Sequence, residues 1–310
     1  MFPPLKPPAL RCGDSVRVVS LASPVDEERL ERGCAELARL GYVVKADRLR
    51  ILAREGFFAG SKSDRVQALT QALCEAESRA IFCARGGYGS NYLLDALQDL
   101  QARPKILCGF SDITSVQIWA WQKFKWATFY GPMVGSGLDC GADSRGGYDH
   151  GSFTRAITET NKGWAIDLRG ESLAPGVAEG ILLGGCLTLV QTSLGTPWEL
   201  DTNGAILILE DRDMKPYQVD RALMHLKQAG KFDGATGVIL GEFPGCDAPA
   251  GTETVKDVAR RILGGLKLPV LWGAPIGHTD RPMLTLPLGV RARLAANEAG
   301  KLEIFEAAVS

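Results

Sequence analysis

Short apolar runs rich in β-branched residues alternate with segments of helical apolar spacing through the first part of this chain. The apolar runs predict strands at residues 16–21, 42–45, 80–84 and 127–130, and a further strand that begins at Lys105. The intervening segments predict helices at residues 26–40, 63–74, 91–97 and 115–126. Strands that alternate with helices form βαβ units, which build a parallel sheet. We therefore predict an α/β fold whose N-terminal part is a flavodoxin- or Rossmann-like parallel sheet.

The composition changes between residues 135 and 151, where glycine, serine and aspartate dominate. Because 310 residues is long for one hydrophobic core, we expect two domains. We place an N-terminal α/β domain at 1–134, a linker or mobile loop region at 135–175 and a smaller, mixed α/β C-terminal domain at 176–310. In the C-terminal domain, the patterns predict strands at 178–183, 205–210, 238–240 and 270–272, helices at 187–194, 217–229 and 254–263, and a hairpin at 290–305.

The composition excludes several classes of partner. The formal net charge of −1 indicates neither a nucleic acid nor an anionic membrane surface. No apolar run is long enough to span a membrane, and the proline-rich residues 1–10 lack a signal-peptide pattern, so we expect a cytoplasmic protein. The eight cysteines form no Cys-x-x-Cys pair, which is typical of a reduced protein. With only three histidines, of which we interpret His150 as a loop residue and His225 as structural, we expect no metal and no cofactor.

The strand that begins at Lys105 runs through Gly109 to Ser111, where the chain turns into a predicted helix. A strand, a Gly-x-Ser turn and a helix are the layout of a nucleophile elbow, in which a tight turn exposes the serine oxygen. The helix N-terminus behind such a serine favours negative charge. However, the second glycine of the motif is Ile113 here, and a helix N-cap role for Ser111 or Asp112 explains the same residues. The local sequence leaves both interpretations open.

Polar residues also follow other predicted strands, and ligands of parallel α/β sheets bind at the carboxyl ends of the strands. The third strand leads into a glycine-rich turn at 85–90, which suits an oxyanion or phosphate cradle but equally a tight turn. A strand in the second half ends in Glu210 and Asp211, and another is followed by His278. With Ser111, these residues occur in the Ser–acid–His order of α/β hydrolases. Strand alternation does not choose between the two acids, because each shares its face with apolar residues.

Several short motifs, spread over nearly the whole chain, carry a resemblance to a known family. They are Ala-Arg-Gly-Gly-Tyr-Gly at 84–89, Gly-Phe-Ser-Asp-Ile-Thr at 109–114, Gly-Pro-Met at 131–133, Gly-Gly at 184–185, Leu-Gly-Thr-Pro at 194–197, Glu-Asp at 210–211, Pro-Tyr at 216–217, Asp-Arg at 220–221, Gly-His at 277–278 and Leu-Pro-Leu-Gly at 286–289. With these motifs in this order, the chain resembles the LD-carboxypeptidase family of serine peptidases. That family includes the muramoyl-tetrapeptide carboxypeptidases and the microcin C self-immunity hydrolases.

The resemblance implies roles for particular residues. Ser111 would be the nucleophile, His278 the general base and Glu210 the residue that orients His278. The backbone N–H groups of Gly87 and Asp112 would form the oxyanion hole, and the site would lie in the cleft between the two domains. Family members cleave the bond between an L-configured centre and a C-terminal D-amino acid. They typically release D-alanine from a cytoplasmic murein tetrapeptide, which implies a role in peptidoglycan recycling.

Substrate binding and departures from the family pattern concern four residues. Arg85 is our candidate for the cation that meets the substrate carboxylate, with a structural salt bridge as the alternative. Tyr88 and Tyr130 are further candidates for substrate binding. Cys186 stands where asparagine is expected after the Gly-Gly pair, and Tyr130 stands where many members have histidine. We expect neither departure to contact the catalytic triad, although both could alter the pocket.

Two other functions stay open. A self-immunity hydrolase that acts on a peptidyl-nucleotide antibiotic would need an aromatic platform for the base, for which Trp164 or Trp198 could serve. A non-catalytic, bilobed ligand-binding protein would bind a ligand tightly without turnover. For the hydrolase, we expect a small peptide substrate, no nucleic-acid or membrane partner, and a homodimer.

Overall fold

The computed structural model describes residues 4–246, 248–249 and 252–310. The predicted domains at 1–134 and 176–310 also include residues 1–3, 247, 250 and 251, which lie outside the described residues. Its strands are β1 (Ser15–Val19), β2 (Val43–Ala46), β3 (Ser78–Cys83), β4 (Ile106–Gly109), β5 (Thr128–Tyr130), β6 (Trp164–Asp167), β7 (Glu171–Ala174), β8 (Val177–Cys186), β9 (Ala205–Glu210), β10 (Gly237–Leu240), β11 (Val270–Trp272), β12 (Leu286–Leu288), β13 (Arg291–Ala295) and β14 (Lys301–Ile304). Its helices are α1 (Glu27–Arg39), α2 (Arg48–Ile51), α3 (Lys62–Cys74), α4 (Thr114–Phe124), α5 (His150–Thr158), α6 (Leu187–Thr192), α7 (Pro216–Gln228) and α8 (Val255–Leu263). Short 3-10 helices cover Ser90–Leu97, Ser111–Ile113 and Leu138–Cys140.

The first sheet has the strand order β12-β5-β4-β3-β1-β2. Strands β2, β1, β3, β4 and β5 run parallel to one another, which confirms the predicted parallel sheet. Strand β12 joins the edge in antiparallel orientation, with Leu286 opposite Tyr130 and Leu288 opposite Thr128. Pro287, between them, is tolerated because an edge strand does not need every N–H group for pairing. The C-terminal part of the chain therefore completes the N-terminal sheet.

The second sheet has the order β6-β14-β13-β8-β9-β10-β11-β7. Its four central strands, β8 to β11, are parallel. Antiparallel strands flank them, with β13, β14 and β6 on one side and β7 on the other. Strands β13 and β14 form the predicted hairpin. The mixed α/β character predicted for this part of the chain is confirmed.

Residues 135–175 contain regular structure, where we expected a linker or a mobile loop. Helix α5 begins after Asp149, whose side chain accepts a hydrogen bond from the backbone N–H of Ser152, and strands β6 and β7 pair with β14 and β11. The glycines before α5 let the backbone itself pack closely. A Cβ atom added to Gly135 would lie 2.4 Å from a methyl carbon of Val25. Asp139 is buried there and forms an ion pair with Arg29 on α1 at 2.7 Å.

The second sheet divides the hydrophobic core into two clusters, and alternate residues of strand β9 belong to one or the other. Ile206 and Ile208 belong to a cluster shared with the first sheet, whereas Leu207 and Leu209 belong to a cluster formed with α6, α7 and α8. Successive strand residues point to opposite faces, so Glu210 faces the same side as Ile206 and Ile208. That side faces the N-terminal part of the chain. None of the described helices is both long and apolar enough to cross a bilayer.

Candidate active site

Ser111 lies in the turn between β4 and α4, as the sequence predicts for a nucleophile elbow. Its φ angle is +62°, in the left-handed region that non-glycine residues rarely adopt. Such a conformation costs on the order of 1 kcal/mol and persists where the surrounding structure enforces it, often at functional sites. Neither Ser111 nor Asp112 caps the helices that begin here with its side chain, because Phe110 and Ile113 occupy the two N-cap positions. The N-cap interpretation of Ser111 and Asp112 is therefore wrong.

The glycine-rich turn after β3 lies against Ser111. A Cβ atom on Gly86 would be 3.1 Å from the Ser111 Oγ and 3.5 Å from the backbone nitrogen of Asp112. Asp112 is buried, and its carboxylate accepts a hydrogen bond from the backbone N–H of Ser90 at 2.7 Å, which ties the turn to the elbow. Within the described part of the chain, the N–H groups of Gly87 and Asp112 have no acceptor. Both donors are thus free for a ligand.

Glu210 and His278 form a buried acid–imidazole pair. Glu210 ends β9 with none of its side chain exposed, and its Oε2 is 2.8 Å from the His278 Nδ1. The same oxygen accepts a hydrogen bond from the His278 backbone N–H at 2.9 Å. A Cβ atom on Gly277, whose φ is +60°, would lie 2.3 Å from the Glu210 Cδ. Only glycine at position 277 allows His278 to approach the carboxylate this closely.

Opposing effects set the charges of this pair. Burial alone would raise the pKa of Glu210, but the positive charge of His278 and hydrogen bonds from His278 and Tyr130 hold that pKa below its ordinary value. Burial likewise would lower the pKa of His278, but the charge and the hydrogen bond of Glu210 raise it above its ordinary value. The arrangement therefore keeps Glu210 ionised and makes the His278 imidazole a stronger base.

A chain of hydrogen bonds connects the serine elbow with the acid–imidazole pair. The Ser111 backbone N–H donates to the Tyr130 hydroxyl at 3.3 Å, and this hydroxyl donates to Oε1 of Glu210. The Phe110 ring also packs edge-on against the His278 ring, with 5.1 Å between ring centres. The structure thus brings Ser111, Glu210 and His278 together from opposite halves of the chain.

The two departures from the family pattern, Tyr130 and Cys186, differ in how they relate to the triad. Tyr130 is completely buried beneath the site, where no substrate can reach it, and it contacts Glu210 directly. Our expectation that this departure from the family pattern leaves the triad untouched is therefore wrong. Cys186 is opposite Glu210 in the pairing of β8 with β9, but its Sγ lies 3.4 Å from the Asp211 carboxylate. Asp211 also accepts hydrogen bonds from the backbone N–H and hydroxyl of Thr188, so it holds the first turn of α6.

Arg85 and Tyr88 border an open cavity of about 470 Å³ beside the glycine-rich turn, together with Ser23, Pro24 and Phe57. The Arg85 guanidinium is exposed and donates to the carbonyl of Pro24, with no carboxylate partner among the described residues. Tyr88 is 47% exposed, and its ring stacks on Phe58. The Ser23 hydroxyl accepts a hydrogen bond from the Tyr88 N–H. Neither Ser23 nor the phenylalanines carried a sequence signal, because they lie in loops after β1 and α2.

The loop that carries His278 is held by residues that we did not select from the sequence. The Glu242 carboxylate accepts hydrogen bonds from the hydroxyl of Thr279 and the guanidinium of Arg281. Arg281 also donates to the backbone carbonyls of Arg169 and Gly273. Glu242 follows β10, so the strand-end rule that identified Glu210 could also have found it.

The remaining candidates lie elsewhere. Trp164 is in β6, at the edge of the second sheet. Trp198 lines a cavity of about 230 Å³ with Ser115 and Ile118 of α4. His150 begins α5, and exposed His225 lies 3.1 Å from the side-chain nitrogen of Gln191. Across the described residues, no cluster of three or more His, Cys, Asp or Glu side chains could hold a metal ion.

Comparison with known proteins places this geometry in a family. Residues 16–131 match the N-terminal domain of LD-carboxypeptidases, and residues 179–294 match the C-terminal domain. The chain belongs to the LD-carboxypeptidase family, as its motifs predict. It is 35% identical over 311 residues to a probable murein peptide carboxypeptidase of Bacillus subtilis, an alignment that covers 98% of this chain and 95% of the relative.

Two solved structures share the fold. A muramoyltetrapeptide carboxypeptidase from Oxalobacter formigenes superposes with a TM-score of 0.82 at 26% identity, covering 94% of this chain and 99% of the other. The microcin C7 self-immunity protein MccF in complex with aspartyl sulfamoyl adenosine superposes with a TM-score of 0.85 at 26% identity, covering 99% and 100%. The chain is thus similar along nearly its whole length to proteins of both kinds that the family includes.

Proposed function

We propose that this protein is a serine-type LD-carboxypeptidase that removes a C-terminal D-amino acid, D-alanine in particular, from a murein tetrapeptide. The observation that carries the proposal is the left-handed turn at Ser111 joined by hydrogen bonds to the buried Glu210–His278 pair. The similarity to a probable murein peptide carboxypeptidase over nearly the whole chain supports this choice of substrate.

In this proposal, Glu210 accepts the Nδ1 proton of His278 in a hydrogen bond, which leaves Nε2 as the base. His278 takes the Ser111 proton, and the serine oxygen attacks the carbonyl carbon of the terminal peptide bond. The N–H groups of Gly87 and Asp112 stabilise the negative oxygen that forms. His278 then protonates the amine of the departing D-amino acid. Water hydrolyses the acyl-enzyme by the same route and restores the Ser111 hydroxyl.

We further propose a cytoplasmic enzyme of peptidoglycan recycling that acts as a homodimer. A reduced compartment is supported by cysteines that carry free thiols, namely Cys12, Cys34, Cys74, Cys83, Cys108, Cys140 and Cys186. Light scattering at several protein concentrations tests the dimer, and fractionation of cells tests the compartment.

The decisive experiment measures free D-alanine after incubation of the protein with a defined murein tetrapeptide. We expect Ser111→Ala to lower the rate by roughly a thousandfold or more. Ser115→Ala, one helical turn further along and also buried, is the matched control and should retain nearly full activity. A tetrapeptide that ends in L-alanine should not be cleaved. Activity of Ser111→Ala above a few per cent of wild type would exclude the serine mechanism.

The second candidate is cleavage of an aminoacyl-nucleotide antibiotic, which the superposition on MccF bound to aspartyl sulfamoyl adenosine favours. The same assay should then include an aminoacyl sulfamoyl adenylate as an alternative substrate. We expect the tetrapeptide to be the better substrate by kcat/KM. Faster cleavage of the adenylate would reverse the assignment, and tight binding of either compound without turnover would indicate a ligand-binding protein instead.

A further inference from the structure

Tyr130 is a completely buried tyrosine that makes two hydrogen bonds at the centre of the site. It ends β5, and its hydroxyl accepts from the Ser111 backbone N–H while donating to Glu210. Burial, reinforced by the negative charge of Glu210, raises the pKa of this hydroxyl well above its ordinary value. It therefore keeps its proton throughout the range in which the enzyme would work and remains a permanent donor.

We propose that Tyr130 is a positioning residue that sets the basicity of His278 through its hydrogen bond to Glu210. This inference rests on the proposed serine mechanism. Oε1 of Glu210 receives the Tyr130 hydroxyl, and Oε2 receives both N–H groups of His278. A donor on Oε1 withdraws negative charge from the carboxylate, so the imidazolium of His278 is stabilised less than it would be without Tyr130.

The same hydroxyl also supports the strained backbone of Ser111. With the Ser111 N–H as its donor and Glu210 as its acceptor, the hydroxyl must take one orientation only. Phenylalanine would fill the same volume but provide neither bond. Tyr130 therefore couples the position of the nucleophile to the charge of the acid, although it cannot touch the substrate.

Among the described residues, few other titratable or charged groups face this cluster, and they lie at or just after the ends of neighbouring strands. Asp211 raises the pKa of His278 and Arg212 lowers it, both from the segment after β9. Cys186, at the end of β8, faces Tyr130, and burial keeps its thiol pKa well above the ordinary value. Because these groups are unchanged in a Tyr130 variant, a change in the pKa of His278 can be attributed to the loss of the Tyr130 hydroxyl.

The test compares Tyr130→Phe with Tyr148→Phe. Tyr148 is an equally buried tyrosine whose hydroxyl also donates to a glutamate, Glu36 at 2.6 Å, but it makes no hydrogen bond to the triad. The pKa of His278 is followed directly by NMR of the histidine ring signals, with exposed His150 and His225 as internal references. The chain has only 3 histidines, so the signals can be assigned by substitution. This titration needs no substrate and does not depend on the identity of the reaction.

We expect Tyr130→Phe to raise the pKa of His278 by about half a unit and to lower kcat about tenfold, with KM changed less than about twofold. Replacement of Tyr130 by 2,3-difluorotyrosine keeps the size of the ring and strengthens the donor, so it should shift the pKa downward. If Tyr130→Phe does not fold, the His278 pKa of the difluorotyrosine protein alone tests the inference. Tyr148→Phe should leave the pKa and kcat unchanged.

Equal His278 pKa values in wild type, Tyr130→Phe and the difluorotyrosine protein would overturn this inference, and so would a shift of the same size in Tyr148→Phe. Such a result would leave the proposed function intact as long as Ser111→Ala is inactive in the D-alanine assay. Conversely, an active Ser111→Ala would overturn the serine mechanism whatever the titration shows.

Discussion

Replacing Glu210 by glutamine removes one negative charge from the candidate site while preserving its shape. The glutamine oxygen can accept both N–H groups of His278, but its amide nitrogen then faces the Tyr130 hydroxyl, whose proton loses the acceptor that Oε1 of Glu210 provides. The shape of the side chain survives, but one buried hydroxyl loses its acceptor, so we expect the free energy of unfolding to fall by about 1–3 kcal/mol. What disappears is the charge that raises the pKa of His278 against the effect of its burial.

The loss in rate follows from that charge. Without it, the imidazole is a weaker base, and the imidazolium formed in the transition state lies buried beside a neutral group. We expect kcat for D-alanine release to fall at least roughly a hundredfold, which corresponds to about 2.7 kcal/mol. The measurement is kcat from initial rates, paired with a thermal melt of the same preparation.

Asp211→Asn is the matched control, because it makes the same chemical change in the adjacent residue. Its carboxylate holds the N–H and hydroxyl of Thr188 at the start of α6 and does not contact His278. We expect a loss of about 1 kcal/mol in stability, as for a helix cap, with kcat within a fewfold of wild type. A slow Asp211→Asn enzyme beside a nearly normal Glu210→Gln enzyme would refute the choice of Glu210.

Three further outcomes are expected. Because activity requires neutral His278, kcat/KM should fall as the pH drops through a value above 6.5, the ordinary pKa of the group; a limb below 6.5 would contradict this. EDTA should leave the rate unchanged, and recovery of a chelated enzyme by added metal would indicate a metallopeptidase instead. Gly86→Ala places a methyl group 3.0 Å from the Ser111 Cβ, so it should lower kcat at least about tenfold with little change in the melting temperature. The control is Gly265→Ala, whose methyl group meets open space and should leave kcat unchanged.

Much of the fold follows from local patterns. The β-branched apolar runs predict every parallel strand to within a few residues, because all of these strands except the exposed edge strand β2 are largely buried. Strand β12 was missed, since three residues with a central proline give no strand signal, and its pairing with β5 depends on a contact distant in sequence. Helix α5 was missed because the glycine-rich residues before it suggested a loop.

The residues of the candidate site could be predicted from the sequence because each lies at or just after the end of a predicted strand. The strand-end rule leads to Ser111, Glu210 and His278, but alternation alone could not choose between the acids. The structure supplies the missing information, because the side of β9 that faces the N-terminal half is the side of Ile206 and Ile208. The contacts of Tyr130 could not be foreseen, since they require the relative placement of two sheets.

The pairing of strand β12 with β5 restricts the relative motion of the two halves of the chain and affects whether the N-terminal part can fold alone. It begins eight residues after His278 and is bonded to β5, the strand that ends in Tyr130. Rotation of the two halves about a hinge would have to break this backbone pairing, so we expect substrate to bind without such a rotation. A fragment of residues 1–134 would leave the edge of β5 uncovered beside buried residues such as Phe129. We expect such a fragment to aggregate through that edge rather than persist as an independent domain, which sedimentation of the expressed fragment would show.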